Sequence, residues 1–364
     1  MVLWLWLVAC RSPTPDPGLS VAEVEAYVRP GTEDADAWAR AVRSSLVLAE
    51  RPVDEDHVCQ VLAIIEQESG YEADPEVPGL AGIVERELEA ELNAKLGFLA
   101  DEAASWVLDD APPGEATFRK QLREVHTERD LDLLFQRIVA HHEGKAPAVA
   151  SVIRTLAPRL VERLNPVTTA GSMQVKVDWA QAHPVSRRTD PAAVRASMYT
   201  VEGGVRYGTL RLFATADYPD PIHRFADFNA GPYASRNAAF QQQLGELVAR
   251  ELVLDGDLLR YNGRGRPLRD QDGETVQLAV AFGAERGLGA EQVRRDLVAE
   301  KQADLEVTPT WLLVKQAHGE RHEATPYAVV PRVQLDSPKL RGTWTTGSFA
   351  ERVQRRYNAC RARV

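Results

Sequence analysis

Apolar residues recur at three- and four-residue spacing through the long charged segments "VERELEAELNAKLGFLADEAASWVL" (84–108) and "LREVHTERDLDLLFQRIVAHH" (122–142). That period commits a chain to amphipathic helices whose apolar stripes must pack on one another. Beyond Asp255 the pattern changes: "DLLRYNGRGRPLRD" and "WLLVKQAHGERHEATPYAVVPRVQL" carry turn signals and β-branched runs, which predict a few strands around one more helix, "AEQVRRDLVAEKQADL". The expected class is therefore mostly α (α+β). A main body is expected over residues 21–255, interrupted by a helical insertion at about 75–165, with a mixed α/β C-terminal region over 256–364.

The N-terminus reads differently. "MVLWLWLVAC" is an apolar run from Val2 to Ala9, too short to span a bilayer, followed directly by "RSPTPDPG". It reads as an export signal over residues 1–9 with a tether over 10–20. Leu7, Val8, Ala9 and Cys10 look like a bacterial lipobox, which implies cleavage before Cys10 and acylation of its thiol. No Lys or Arg precedes the run. The expected location is the periplasmic face of a bacterial cell envelope, lipid-anchored, with the outer membrane as the expected membrane. Lipidation of Cys10 leaves Cys59 and Cys360 of the three cysteines, a pair for a disulfide or two buried thiols. A bond closing so long a loop stabilises by about 4 to 5 kcal/mol in the chain-entropy model.

Acidic residues outnumber basic ones 53 to 43, for a net charge of −10, and no basic stripe interleaved with aromatics tracks a phosphate backbone. Nucleic acid is excluded as a partner on that ground.

"IIEQESGY", Ile64 to Tyr71, ends an apolar helical run on acids. On a helical wheel, Glu68 lies roughly 50° from the centre of the apolar set Val58, Val61, Leu62, Ile64 and Ile65, and Glu66 roughly 110°. Glu68 is the inward acid. A carboxyl that loses hydration titrates higher and can hold a proton near neutral pH, as glycoside cleavage requires; the structural alternative is a local cap or ion pair at a helix end.

Four motifs then follow in order: "ESGYEADP", "AGSMQV", "VEGGVRYG" and "FADFNAGPYASRNAAF". This series resembles the signatures of the lytic transglycosylases and goose-type lysozymes. The resemblance covers roughly 54–74 and 165–250, and it implies a lysozyme-like transglycosylase core. It assigns Glu68 as sole catalytic acid and base and Ser69 as a hydrogen-bonding helper. Gly171, Met173 and Gln174 match the loop that lines the cleft, Tyr207 a tyrosine abutting the site, and Asn229 and Ala230 the turn that contacts the N-acetyl group. The implied reaction cuts the β-1,4 bond between N-acetylmuramic acid and N-acetylglucosamine in peptidoglycan strands, leaving a 1,6-anhydro end, with no cofactor. Two rivals remain: a hydrolase using a second carboxylate from Glu72, Asp74, Glu202 or Asp227, and a non-catalytic glycan-binding lipoprotein. The chain departs from the pattern at Thr168, Thr169, Ser172, Asp227 and Phe228, and Gln174 follows Glu68 by 106 residues.

Other signals carry less. His141 and His142 are adjacent, so on a helix they point about 100° apart and do not share an ion with Glu143. His318 and His322 are four apart, but flanking Gly and Pro predict a loop with surface histidines and no metal. "NGRGR" at 262–266 lacks the ending of a phosphate cradle and reads as a turn.

Overall fold

Ser20 accepts the backbone N–H of Glu23 while the Glu23 carboxylate accepts that of Ser20, a reciprocal cap that starts α1 (Val21–Tyr27). This computed structural model describes residues 18–145, 165–262, 267–268, 271–335 and 344–364. The signal, Cys10, most of the tether, most of "NGRGR" and the distal part of the insertion lie outside them. After α1 come α2 (Ala35–Leu48) and α3 (Glu55–Glu68). Asp54 caps α3 by accepting the His57 N–H, and Glu55 and Asp56 place negative charge at its N-terminal end. From Val58 to Ile65 every residue of α3 is buried. A helix buried all round must be the centre of its body, and α1 and α2 both pack on it.

The insertion is helical, as the periodicity requires: α4 (Leu80–Leu96), α5 (Ala100–Leu108), α6 (Phe118–Leu122) and α7 (Glu128–Lys145). It closes its own apolar cluster from Leu80, Leu108, Phe118, Leu122, Leu131 and Leu134, with Val167 from the returning chain. That chain forms the antiparallel pair β1 (Thr169–Ala170) and β2 (Val175–Lys176), Ala170 opposite Val175. Then follow α8 (Val177–Ala182), α9 (Pro191–Met198), α10 (Val201–Leu212) and α11 (Pro221–Ala230).

Backbone proximity fixes how the hairpin sits. A Cβ on Gly203 would lie 2.0 Å from the Ser197 carbonyl oxygen, and one on Gly208 would lie 2.1 Å from Met173 Sδ. Only glycine lets α10 approach the end of α9 and the hairpin loop this closely. Gly171 itself turns with φ +80° directly over the Met198 carbonyl.

A second apolar cluster forms from α12 (Ala234–Val248), α13 (Glu274–Ala284), α14 (Ala290–Leu297) and α15 (Pro309–Gly319), around Phe240, Leu244, Phe282, Val293, Leu297 and Trp311. Arg236, fully buried, donates to the Glu300 and Gln302 carbonyls and ties α12 to the segment beyond α14. The C-terminal region is thus mainly helical rather than mixed. Its only described strands are β3 (Gln334–Leu335) and β4 (Trp344–Thr345). The β-branched run before them stays extended because Pro331 has no donor and neighbouring amides bond elsewhere: Val329 N–H donates to the Ser235 carbonyl in the first turn of α12 and Arg332 N–H to the Leu254 carbonyl.

The last helix, α16 (Thr346–Arg361), returns to the first body. Its Phe349, Ala350, Val353, Tyr357 and Cys360 enter the cluster built around α3. Cys59 and Cys360 are disulfide-bonded, with Cα atoms 5.6 Å apart across a sequence separation of 301. No described helix is long and apolar enough to cross a membrane.

Candidate functional site

At the C-terminal end of α3 the two acids meet opposite fates. Glu66 faces α16 and the chain terminus, where Arg363 lies 3.1 Å and Arg356 Nε 3.9 Å from its carboxylate oxygens. Glu68 has no hydrogen-bond or ion-pair partner among the described residues and is only partly exposed. Burial pushes its carboxyl up to about 7, and the Arg356 guanidinium opposes that shift. Such a group is about half protonated at neutral pH, so it can give a proton and take one back. The chain leaves the helix abruptly after it. Ser69, Gly70 and Tyr71 follow, the last two with φ of +64° and +73°, and Tyr71 is buried edge-on against Trp38 under the Arg29 guanidinium.

The remaining residues assigned by the resemblance are placed as follows. The Ser69 hydroxyl donates back to the Ile65 carbonyl, closing the last turn of α3. Gly171 makes the tight turn of the hairpin. Met173 is fully buried against Gly208, so it anchors the loop and does not line a cleft. Gln174, with φ +50°, turns its amide toward the insertion. Its Nε2 donates to Glu128 at 3.0 Å and to the Gly171 carbonyl at 3.3 Å, and its Oε1 accepts from Thr169. Both amide hydrogens are therefore engaged, leaving one acceptor lone pair. Tyr207 is buried with its hydroxyl 2.9 Å from that of Ser186. Asn229 and Ala230 end α11 before Gly231, and Asn229 is exposed.

Of the four carboxylates considered as partners for Glu68, Asp227 is the one fully buried, and it is fully engaged. It accepts from Thr215 Oγ1, Tyr218 Oη and the Ser235 N–H, each at 2.6 Å. Burial raises its pKa while these bonds lower it. It holds the α11–α12 corner and is not free to activate water. Glu72 and Glu202 are exposed, and Asp74 accepts the Arg129 N–H. Two hollows, of about 200 and 570 Å³, lie on the insertion beside Val125, and neither includes Glu68.

Three features escape a reading of the sequence. The Gln174–Glu128 contact spans 46 residues of chain, and the Asp227 network joins residues with no shared motif. The third is in the C-terminal region, where the expected loop with surface histidines is corrected: His318 lies in the last turn of α15 and is 1% exposed. Thr308 caps that helix, Pro309 fits its first position, and Gly319 is tolerated where the helix ends.

Residues 31–363 match the model of a family described as "Protein of unknown function (DUF1615)". The chain belongs to this family. The match takes in the insertion and α16 as well as the body around α3. The chain is also 33% identical to a protein of Escherichia coli (strain K12) named "Uncharacterized protein YaiW", over 98% of this chain and 95% of that one. No solved structure matches.

Proposed function

We propose that the chain cleaves the glycan strands of peptidoglycan by the lytic transglycosylase route, with Glu68 as its acid and base. The observation that carries this reading is the unpaired carboxyl of Glu68, titrating near neutrality at the end of a buried helix, beside a Glu66 that is fully ion-paired. Protonated Glu68 would donate to the bridging oxygen. The resulting carboxylate would take the proton from the C6 hydroxyl of the muramic sugar as that oxygen closes on C1, giving the 1,6-anhydro end. The engagement of Asp227 favours this single-carboxylate route over hydrolysis, which needs a second acid about 6.5–9.5 Å away. Asn229, exposed at the end of α11, remains the residue offered for the N-acetyl group. The lipid anchor at Cys10 and the disulfide fit an oxidising envelope compartment on the periplasmic face, with peptidoglycan as partner.

One observation favours a second reading, a glycan-holding lipoprotein without catalysis. The Gln174 amide, expected to meet a sugar, is spent on Glu128 and Gly171. Purified sacculi separate the two. Soluble glycan released by the parent and by Glu66→Gln but not by Glu68→Gln supports the enzyme. Equal retention of all three on sacculi without release supports the holder.

A further inference from the structure

We propose that Glu246, His318 and His322 form a site for a divalent transition-metal cation of the zinc class, joining α12 to α15. The two helices pack side by side, and both end here: α12 at Val248 and α15 at Gly319. Their C-terminal carbonyls direct partial negative charge at the same place, which favours a cation. Helical spacing continues past Gly319, because the His322 N–H donates to the His318 carbonyl at 2.9 Å. The two imidazoles therefore face the same side, with ring centroids 4.1 Å apart and planes 12° apart.

The donor set converges. His318 Nε2 lies 2.7 Å and His322 Nδ1 3.9 Å from Glu246 Oε2. One ligand atom from each of the three residues falls within 4.8 Å of the others. Zinc donors sit about 2.0–2.2 Å from the ion and hence about 3.4 Å from one another in a tetrahedral set, so the His318–Glu246 contact must open as the wider separations close, and His322, with its side chain 38% exposed, can turn to do it. Two imidazoles and one carboxylate are a borderline nitrogen and oxygen set. It suits zinc and its neighbours, whereas calcium and magnesium take oxygen donors.

Outer contacts orient the ligands. Thr325 Oγ1 lies 3.1 Å from His318 Nδ1, and Gln242 donates to Glu246 Oε1 at 2.8 Å, leaving Oε2 toward the site. With the Nδ1 proton on Thr325, the Nε2 lone pair meets a carboxylate oxygen, and a proton or a metal must lie between them. The carboxyl of Glu246 is already held below its usual range, first by the His318 contact and then by Gln242. Glu246 and His322 are both partly open to solvent, so a fourth coordination position is accessible.

Calorimetric titration of the untagged, chelator-stripped protein with zinc chloride tests this. The expected result is one equivalent bound at micromolar affinity or tighter, with a higher melting temperature when zinc is present. Glu246→Gln and His322→Ala, which alter partly exposed side chains, should each weaken binding at least tenfold with unchanged circular dichroism, while His142→Ala should not. The proposal is overturned by absence of saturable binding, by equal affinity for magnesium, or by zinc binding that survives both variants.

Discussion

Glu66 and Glu68 are two residues apart on one helix, and their surroundings divide them into an ion-paired acid and one without a partner among the described residues. Below pH 4.5 Glu68 is protonated in both folded and unfolded chains, so it contributes no pH dependence. Between 4.5 and about 7 the folded chain binds the extra proton, and its stability falls as pH rises; above 7 the whole penalty is present. Glu68→Gln should therefore raise the melting temperature relative to the parent at pH 8.5 and have little effect at pH 4.5. A difference of the same size at both pH values would contradict a raised pKa. The Arg356 guanidinium opposes the upward shift of Glu68, so on the proposed reading Arg356→Ala should move the alkaline limb of the pH–activity profile upward. A limb that stays in place would sink that role. The wheel puts Glu68 nearer the apolar centre than Glu66, yet both are half-buried; what separates them is the Arg363 partner that Glu66 draws from the far end of the chain, which periodicity does not announce. The occupation of Gln174 was not legible either, because its partner Glu128 comes from a different helix of the insertion.

The hairpin between β1 and β2 and the glycine face of α10 form one packed unit, in which Gly208 makes room for Met173. Gly208→Ala places a Cβ 2.1 Å from Met173 Sδ and 2.5 Å from its Cβ, and should destabilise by about 1–3 kcal/mol in urea unfolding. No change in midpoint would mean that the loop yields freely. The corner between α11 and α12 depends on Asp227, whose three acceptor bonds are all buried. Asp227→Ala should cost about 3 kcal/mol or more by the same measurement. At this scale the helices of the insertion were readable because their apolar period is strong and their caps are local. The C-terminal strands were not: "YAVVPRVQL" has β-branched residues, but its amides bond to the start of α12 and to Leu254, both far away in sequence. The same long-range packing buries His318, which no neighbour in sequence announces.

Across the whole molecule, the chain closes on itself. Its last helix lies against α3, joined by Cys59–Cys360, and α1 packs into the same core; the family match from 31 to 363 begins after α1 and takes in the other helices of that core. The disulfide pair was countable from three cysteines, but the sequence left a bond and two free thiols equally open. Reduction should lower stability by about 2–5 kcal/mol and should also loosen α16, which carries Arg356; an unchanged unfolding midpoint would mean that noncovalent packing alone seats the helix. The same closure brings the Arg363 end of the chain to Glu66 and leaves Glu68 unpaired. The central claim is that Glu68 performs transglycosylation on peptidoglycan. The most direct measurement is mass spectrometry of the ends released from purified sacculi by the chain lacking residues 1–10, beside Glu68→Gln. The account predicts 1,6-anhydro-muropeptides from the parent and none from the variant. Reducing ends in their place, release that persists in Glu68→Gln, or no release from either protein would contradict it.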